Sequence, residues 1–112
     1  MKRFGSVCML KPERAEEYLR LHAAVWPDVL ARITACGIRN YSIFHRGLPD
    51  GAHLLFSYFE YAGADFDADM AAMAADPRTQ AWWAVCKPCM IPLPDRAPGE
   101  WWAGLREVFH HD

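Results

Sequence analysis

The stretch IRNYSIFHRGLPDGAHLLFSYFEY, residues 38–61, decides the fold because it predicts a β-hairpin. Its first arm, residues 38–46, alternates along the chain and is rich in residues that favour strands, and its second arm, residues 53–61, is predicted to pair with it as the next strand. The intervening GLPDG, residues 47–51, combines glycine, proline and aspartate, which are typical of tight turns. Two neighbouring antiparallel strands are therefore expected here.

The segments on either side of the hairpin supply helices and further strands. Pro12, followed by acidic residues, favours a helix start, and Pro27 should interrupt or restart that helix because proline lacks an amide donor. The resulting order, β-α-β-β-α-α-β, is typical of an α+β, ferredoxin-like fold, in which a four-stranded antiparallel sheet carries its helices on one face. The other predicted boundaries are a strand at 3–10, a helix stop at Gly37, a helix begun near Asp65, a helix at 77–87 capped by Asp76, an extended loop at 88–100 and a last strand at 105–111.

Apolar side chains are expected on both faces of this sheet. In the second arm of the hairpin, Phe56 and Tyr58 point to one face, and Leu55 and Phe59 point to the other, because successive residues of a strand alternate. Helices cover only one face in a ferredoxin-like fold. We therefore expect a homodimer in which a second copy packs sheet to sheet against the uncovered face.

Length and composition limit the classes of protein to be considered. The chain has 112 residues and is expected to form one domain, residues 1–112. A formal net charge of −2 offers no basic surface for nucleic acid. No apolar run reaches the roughly 18 residues of a membrane helix, and the N-terminus lacks the apolar run of a secretory signal. We therefore expect a cytoplasmic protein whose four cysteines, Cys8, Cys36, Cys86 and Cys89, are reduced thiols.

Two residues capable of chemistry lie on an apolar face of the first helical region. Tyr18 and His22 are four residues apart and share a helix face, which Val25, Val29 and Ile33 continue towards the sheet. A histidine in such a place is more often a core or rim residue than a catalytic one. A catalytic role therefore depends on what surrounds it.

Further aromatic residues complete a candidate pocket. Strict alternation puts Tyr41 on the same side of its strand as Arg39, and that side approaches the histidine if it faces the helices. Trp82 and Trp83 could close the pocket, but adjacent helical residues cannot both point the same way, and such a pair usually serves packing. The pair Trp101–Trp102 is expected to anchor on the partner or on the sheet. Such an aromatic-walled pocket suits a sugar, whose C–H faces pack on indole rings.

The CKPC segment, residues 86–89, is the other pattern that could carry chemistry. A redox pair favours a first cysteine at a helix N-terminus, where the dipole stabilises a thiolate, but Cys86 comes at a helix end. His110 and His111 could join the two cysteines as zinc ligands, but the spacing fits no standard pattern. No glycine-rich nucleotide- or phosphate-binding motif is present. Neither a metal nor an organic cofactor is expected.

Five segments, in their order and spacing, give the chain a resemblance to a known family. They are EEYLRLH, VWPDVL, GIRNYSIF, TQAWW and REVFH. With them the chain resembles the L-rhamnose mutarotase family, small dimeric α+β-barrel proteins, nearly from end to end. The resemblance implies a carbohydrate isomerase that interconverts the α and β anomers of a 6-deoxyhexose by acid–base ring opening and closure, without a cofactor.

The resemblance also implies roles for five residues. His22 falls at the position of the catalytic proton donor, which would protonate the ring oxygen of the sugar. Tyr18 and Tyr41 fall at sugar-contact positions and could relay the second proton. Trp82 and Trp83 match an aromatic pair that holds the pyranose. The late loop departs from the family pattern, and this leaves the identity of the sugar open.

Three alternatives remain open from the residues. The same reaction on L-fucose is the nearest, because the two sugars share the C6 methyl group and differ in hydroxyl orientation. A cofactor-free monooxygenase would place its pocket at the same position in the same fold. A non-catalytic sugar-binding module would bind the sugar without accelerating anomer exchange, and fold alone distinguishes none of these.

Overall fold

The computed structural model describes all 112 residues, and its elements follow the predicted order with one addition near the C-terminus. Single turns of 3₁₀-helix precede the first α-helix and follow the last. The strands and helices are β1 (Lys2–Leu10), α1 (Ala15–Ala23), α2 (Pro27–Ala35), β2 (Ile38–Gly47), β3 (His53–Tyr61), α3 (Phe66–Ala75), α4 (Pro77–Cys86), β4 (Met90–Ile91) and β5 (Ala103–Leu105).

Proline, glycine and aspartate set the ends of the helices, as the sequence predicts. Pro27 is the first residue of α2, which is a separate helix because α1 ends at Ala23. Gly37 has a φ of +86°, a left-handed conformation that favours glycine, and it reverses the chain into β2. The Asp76 carboxylate accepts hydrogen bonds from the amide (2.9 Å) and the hydroxyl (2.8 Å) of Thr79, which caps the start of α4. These ends fix where α1 and α4 present their inward side chains.

The strands form one antiparallel sheet in the order β2-β3-β1-β4, and β5 pairs with the same edge of β1 as β4. The four helices pack on one face of this sheet and enclose the core. The α+β, ferredoxin-like fold class is therefore confirmed. No helix has the length and apolar character needed to cross a membrane. The side chains that are most fully buried in the core are Leu10, Leu55, Cys8 and Cys89.

The C-terminal part of the sheet differs from the prediction in two respects. The last strand was predicted at 105–111, but β5 covers Ala103–Leu105 and the residues after it form no strand. Val108 and Phe109 are highly exposed there, and Glu107 accepts a hydrogen bond from the Arg3 guanidinium at 2.9 Å. The predicted extended loop also contributes the short strand β4, which gives the sheet five strands instead of four.

Candidate active site

A cavity of about 440 Å³ lies between the helices and the sheet. Its volume is within the range of about 300–1,000 Å³ that is typical of small-molecule sites. Of its 20 lining residues 16 are hydrophobic, and none is an aspartate or a glutamate. The cavity brings together all five residues that the sequence singled out: Tyr18, His22, Tyr41, Trp82 and Trp83.

His22 is held in one orientation by its own helix. Its Nδ1 lies 2.9 Å from the carbonyl oxygen of Tyr18, one turn earlier in α1. A carbonyl can only accept a hydrogen bond, so Nδ1 carries the proton and donates it. The imidazole also stacks on the Tyr18 ring, with 4.0 Å between ring centroids. In the neutral ring, Nε2 is therefore the nitrogen with a free lone pair, and it is the one available for proton exchange.

The surroundings of His22 favour its neutral form. Burial lowers the pKa of the imidazole from its usual value near 6.5, and the hydrogen bond from Nδ1 to the Tyr18 carbonyl only partly opposes this shift. No carboxylate lines the cavity to stabilise an imidazolium. At neutral pH His22 is therefore a base at Nε2, which can take up a proton and return it.

A β-bulge aims Tyr41 into the cavity. Arg39 pairs with Glu60 and Ser42 pairs with Tyr58, so Asn40 and Tyr41 together stand opposite a single residue of β3. Asn40 takes a φ of +52°, and the Tyr41 ring meets the ring of Phe59, at 5.6 Å between centroids, on the helix-covered side. Bulges of this kind re-aim a side chain beside a binding site.

The same bulge corrects one prediction. Strict alternation placed Arg39 on the side of Tyr41, but the extra residue separates them. Arg39 pairs with Glu60, whose side chain points away from the helices, and its guanidinium donates a hydrogen bond to the carbonyl of Thr34 at 2.9 Å. Arg39 is therefore not part of the cavity wall.

The two phenols of the cavity remain protonated at neutral pH. Tyr18 is buried in the core, and burial strongly raises the pKa of its hydroxyl. Tyr41 keeps 41% of its surface exposed, and desolvation among the packed side chains raises the pKa of its hydroxyl to about 12. Both hydroxyls can therefore donate hydrogen bonds to a ligand.

Trp82 and Trp83 face the cavity in different ways. Trp82 is buried, and its ring meets the edge of His22 at 5.3 Å and of Trp26 at 5.1 Å between centroids. Trp83 is half-buried, and its indole face carries the Lys87 ammonium 5.0 Å from the ring centroid. Trp82 therefore supports the imidazole from the core, whereas Trp83 presents an accessible aromatic surface.

Comparison with known proteins decides the family of this chain. A sequence model of L-rhamnose mutarotases matches residues 3–111. The L-rhamnose mutarotase of Oceanobacillus iheyensis is 34% identical over 112 residues, which is 100% of both chains. The L-rhamnose mutarotase of Opitutus terrae is 38% identical over 96 residues, covering 86% of this chain and 85% of the relative. The chain belongs to the L-rhamnose mutarotase family.

Solved structures place the same fold in this family and outside it. The L-rhamnose mutarotase FA22100 of Formosa agariphila superimposes with a TM-score of 0.74 at 22% identity, over 100% of both chains. Tetracenomycin F2 cyclase of Streptomyces glaucescens, a type-II polyketide cyclase, superimposes with a TM-score of 0.68 at 16% identity, over 100% of both chains. At these identities the two structures show the fold alone.

Several residues line the cavity of this mutarotase family member although the sequence did not predict them there. Trp101 and Trp102, expected as anchors on the partner or the sheet, pack against the core and line the cavity. They lie in a late loop without periodicity, so nothing in the sequence indicates where their rings point. Lys87 also lines the cavity, and its spacing of one helical turn from Trp83 was the one signal that could have found it. The other cavity residues that were missed include Met70, Met73 and Thr79.

The thiols of Cys86 and Cys89 in the CKPC segment are buried, and they stay protonated at neutral pH. Cys86 reaches the cavity wall, and burial raises the pKa of its thiol to about 12. The Cys89 thiol donates a hydrogen bond to the Glu17 carboxylate at 3.0 Å, and its pKa is raised to about 11, chiefly by burial. Thiols with raised pKa values are poor nucleophiles at neutral pH.

Proposed function

We propose that this chain interconverts the α and β anomers of L-rhamnose by acid–base ring opening and closure. The observation that carries the proposal is the state of His22: a neutral imidazole with Nδ1 fixed by a carbonyl, in an aromatic-walled cavity of about 440 Å³. The substrate is taken from the family, whose members at 34–38% identity are named L-rhamnose mutarotases.

The proposed proton route uses one nitrogen for two oxygens of the sugar. The anomeric hydroxyl and the ring oxygen are both bonded to C1, so Nε2 of His22 can reach both from one position. Neutral Nε2 takes the proton of the anomeric hydroxyl, and the imidazolium then delivers it to the ring oxygen. The bond from C1 to the ring oxygen breaks as the C1 carbonyl forms. After the carbonyl rotates, the same steps run in reverse and close the ring to the other anomer.

The other four residues bind and orient the sugar in this proposal. The protonated phenols of Tyr18 and Tyr41 donate hydrogen bonds to sugar oxygens and steady the charge that develops during opening. The indoles of Trp82 and Trp83 pack against the C–H face of the pyranose and its C6 methyl group. Spontaneous anomer exchange already proceeds in water. The enzyme must exceed that rate, so the position in which these residues hold the sugar matters.

The pH dependence of kcat/KM tests the resting state of His22. We expect kcat/KM for L-rhamnose, after subtraction of the protein-free rate, to be flat around neutral pH. It should fall about tenfold per pH unit below the lowered pKa of His22, which lies under 6.5, because protonated Nε2 cannot accept the anomeric proton. Anomer-exchange NMR across the pH range measures it. A rate that rises as the pH falls through this range would contradict a neutral resting base.

We also infer that the chain works as a homodimer through the sheet face that its helices leave uncovered. Phe44 and Phe56 are register partners on this face and are 63% and 38% exposed, and Leu105 extends the apolar surface on β5. Light scattering should give twice the chain mass of 12.8 kDa, and the double variant Phe44→Lys, Phe56→Lys should give the single mass. A wild-type protein of 12.8 kDa at enzyme concentrations used for assay would refute the dimer.

A cytoplasmic location belongs to the same proposal. All four cysteines are free thiols buried in the fold. Free buried thiols accord with a reducing compartment, where disulfides rarely persist. Cell fractionation with an antibody against the chain tests it, and recovery in an extracytoplasmic fraction would overturn it.

A further inference from the structure

Lys87 places the one permanent charge in the wall of the cavity. It follows α4 directly and lies one helical turn beyond Trp83. Its ammonium sits over two indole faces, 5.0 Å from the centroid of Trp83 and 4.8 Å from that of Trp101. Both distances are within the roughly 6 Å at which cation–π attraction is effective. The two rings therefore hold the end of a flexible side chain at a defined position beside the cavity.

The hydrogen-bonding groups of this wall lack acceptors within the protein. The Lys87 ammonium takes part in none of the five ion pairs and in none of the side-chain hydrogen bonds of the chain. Contact with indole faces leaves its three N–H donors unused. The indole Nε1 of Trp101 is buried and also has no acceptor. The Trp101 nitrogen lies beneath the cavity surface, whereas Lys87 is only half-buried, so it is the ammonium whose N–H donors a ligand with oxygen acceptors can reach.

Glu100, an acidic residue of the late loop, forms no ion pair with Lys87 and has one carboxylate oxygen engaged within the loop. Glu100 lines a surface cleft on the other side of Trp101, which Lys87 also reaches. Its carboxylate accepts hydrogen bonds from the amide of Ala97 at 3.0 Å and from that of Gly104 at 3.5 Å, which hold the loop closed on itself. Lys87 thus remains available on the cavity side.

We propose that Lys87 is a sugar-contact residue that donates hydrogen bonds to hydroxyl oxygens of the bound pyranose and contributes to sugar specificity. This inference rests on the proposed function. The pyranose packs against the part of the half-buried Trp83 ring that Lys87 leaves free, and the ammonium beside it donates to hydroxyls at the edge of the sugar. Because the two indoles already restrict the side chain, little further rotamer entropy is lost when the sugar binds. Lys87 takes no part in proton transfer, which belongs to His22.

The test compares Lys87→Met with wild type in anomer exchange and in binding measured by tryptophan fluorescence. Methionine keeps the apolar stem against the indoles and removes the charge and the donors. We expect KM and Kd for L-rhamnose to rise roughly tenfold to a hundredfold, the range for loss of a charged hydrogen bond. Both kcat and its pH profile should stay within about twofold, since His22 is untouched. Lys87→Gln is a second variant that removes the charge but keeps neutral N–H donors on a shorter side chain, so it should lose less affinity than Lys87→Met. Lys2→Met, on the exposed end of β1, is the matched control.

A second test distinguishes a direct contact between Lys87 and the sugar from a packing role of Lys87. It uses analogues of L-rhamnose that each lack one non-anomeric hydroxyl. For the analogue that lacks the contacted hydroxyl, wild type and Lys87→Met should bind equally well, whereas a merely structural role would weaken all analogues alike. The inference is overturned if Lys87→Met and Lys87→Gln bind L-rhamnose as wild type does, or if the loss is the same for every analogue. Failure of the proposed function looks different, because wild type itself would then not accelerate anomer exchange.

Discussion

Replacing His22 with alanine is expected to remove catalysed anomer exchange while leaving the fold intact. The variant loses the nitrogen that takes the anomeric proton and returns it to the ring oxygen, and a positioned acid–base group contributes a factor of about 10² to 10⁴. The imidazole is half-buried and bonds only to a carbonyl of its own helix, so α1 does not depend on it. Exchange measured by saturation-transfer NMR should fall to the protein-free rate.

The control for this variant is His111→Ala, which changes an exposed histidine far from the cavity and should keep full activity. Thermal unfolding of both variants establishes that the fold is retained. Undiminished exchange in His22→Ala would remove His22 from the proton route and leave the phenols as the remaining acid–base groups.

Trp82 and Trp83 should differ in how much unfolding free energy is lost on replacement by alanine. Trp82 is buried in the core against His22 and Trp26, and truncating such a residue costs about 3–5 kcal/mol of unfolding free energy. This is a large part of the roughly 5–15 kcal/mol that stabilises a typical domain. Trp83 is half-buried, so Trp83→Ala should spare most of the stability and instead weaken sugar binding by removing the aromatic surface for the pyranose.

Denaturant unfolding and sugar titration of the two variants, side by side, measure this contrast. Trp82→Phe keeps an aromatic ring in the core and should recover much of the lost stability, which makes it the matched control. Equal losses of stability in Trp82→Ala and Trp83→Ala would contradict the division of roles. So would unchanged sugar affinity in Trp83→Ala.

Local chemistry explains why the sequence predicted most of the fold. The strand 53–61 matches β3 because a short run rich in aromatic and apolar residues after a turn identifies a strand that pairs on both sides. Pro27 marks the start of α2 because proline lacks the amide hydrogen that a residue inside a helix donates. Asp76 marks the start of α4 because its carboxylate accepts hydrogen bonds from free amides there. Both effects are local. The cavity residues on α1 could be predicted for the same reason, since the spacing of Tyr18 and His22 determines that they share a helix face.

Long-range geometry explains what the sequence did not reveal. The bulge at Asn40 and Tyr41 exists only relative to the register of β3, so strict alternation misplaced Arg39. The residues after Leu105 form no strand, and Val108 and Phe109 stay exposed, because a strand there needs a partner edge that local sequence does not specify. Trp101 reaches the cavity only because the late loop folds back towards the end of α4, where its ring meets Lys87, a contact between segments that share no periodicity.

The most direct test of the account is saturation transfer between the two anomeric proton signals of L-rhamnose, with and without wild-type protein. The account predicts exchange above the spontaneous rate that grows in proportion to protein concentration, and that is faster with L-rhamnose than with L-fucose at equal concentration. Exchange that stays at the protein-free rate while the protein binds L-rhamnose would contradict it, and would instead indicate a sugar-binding module.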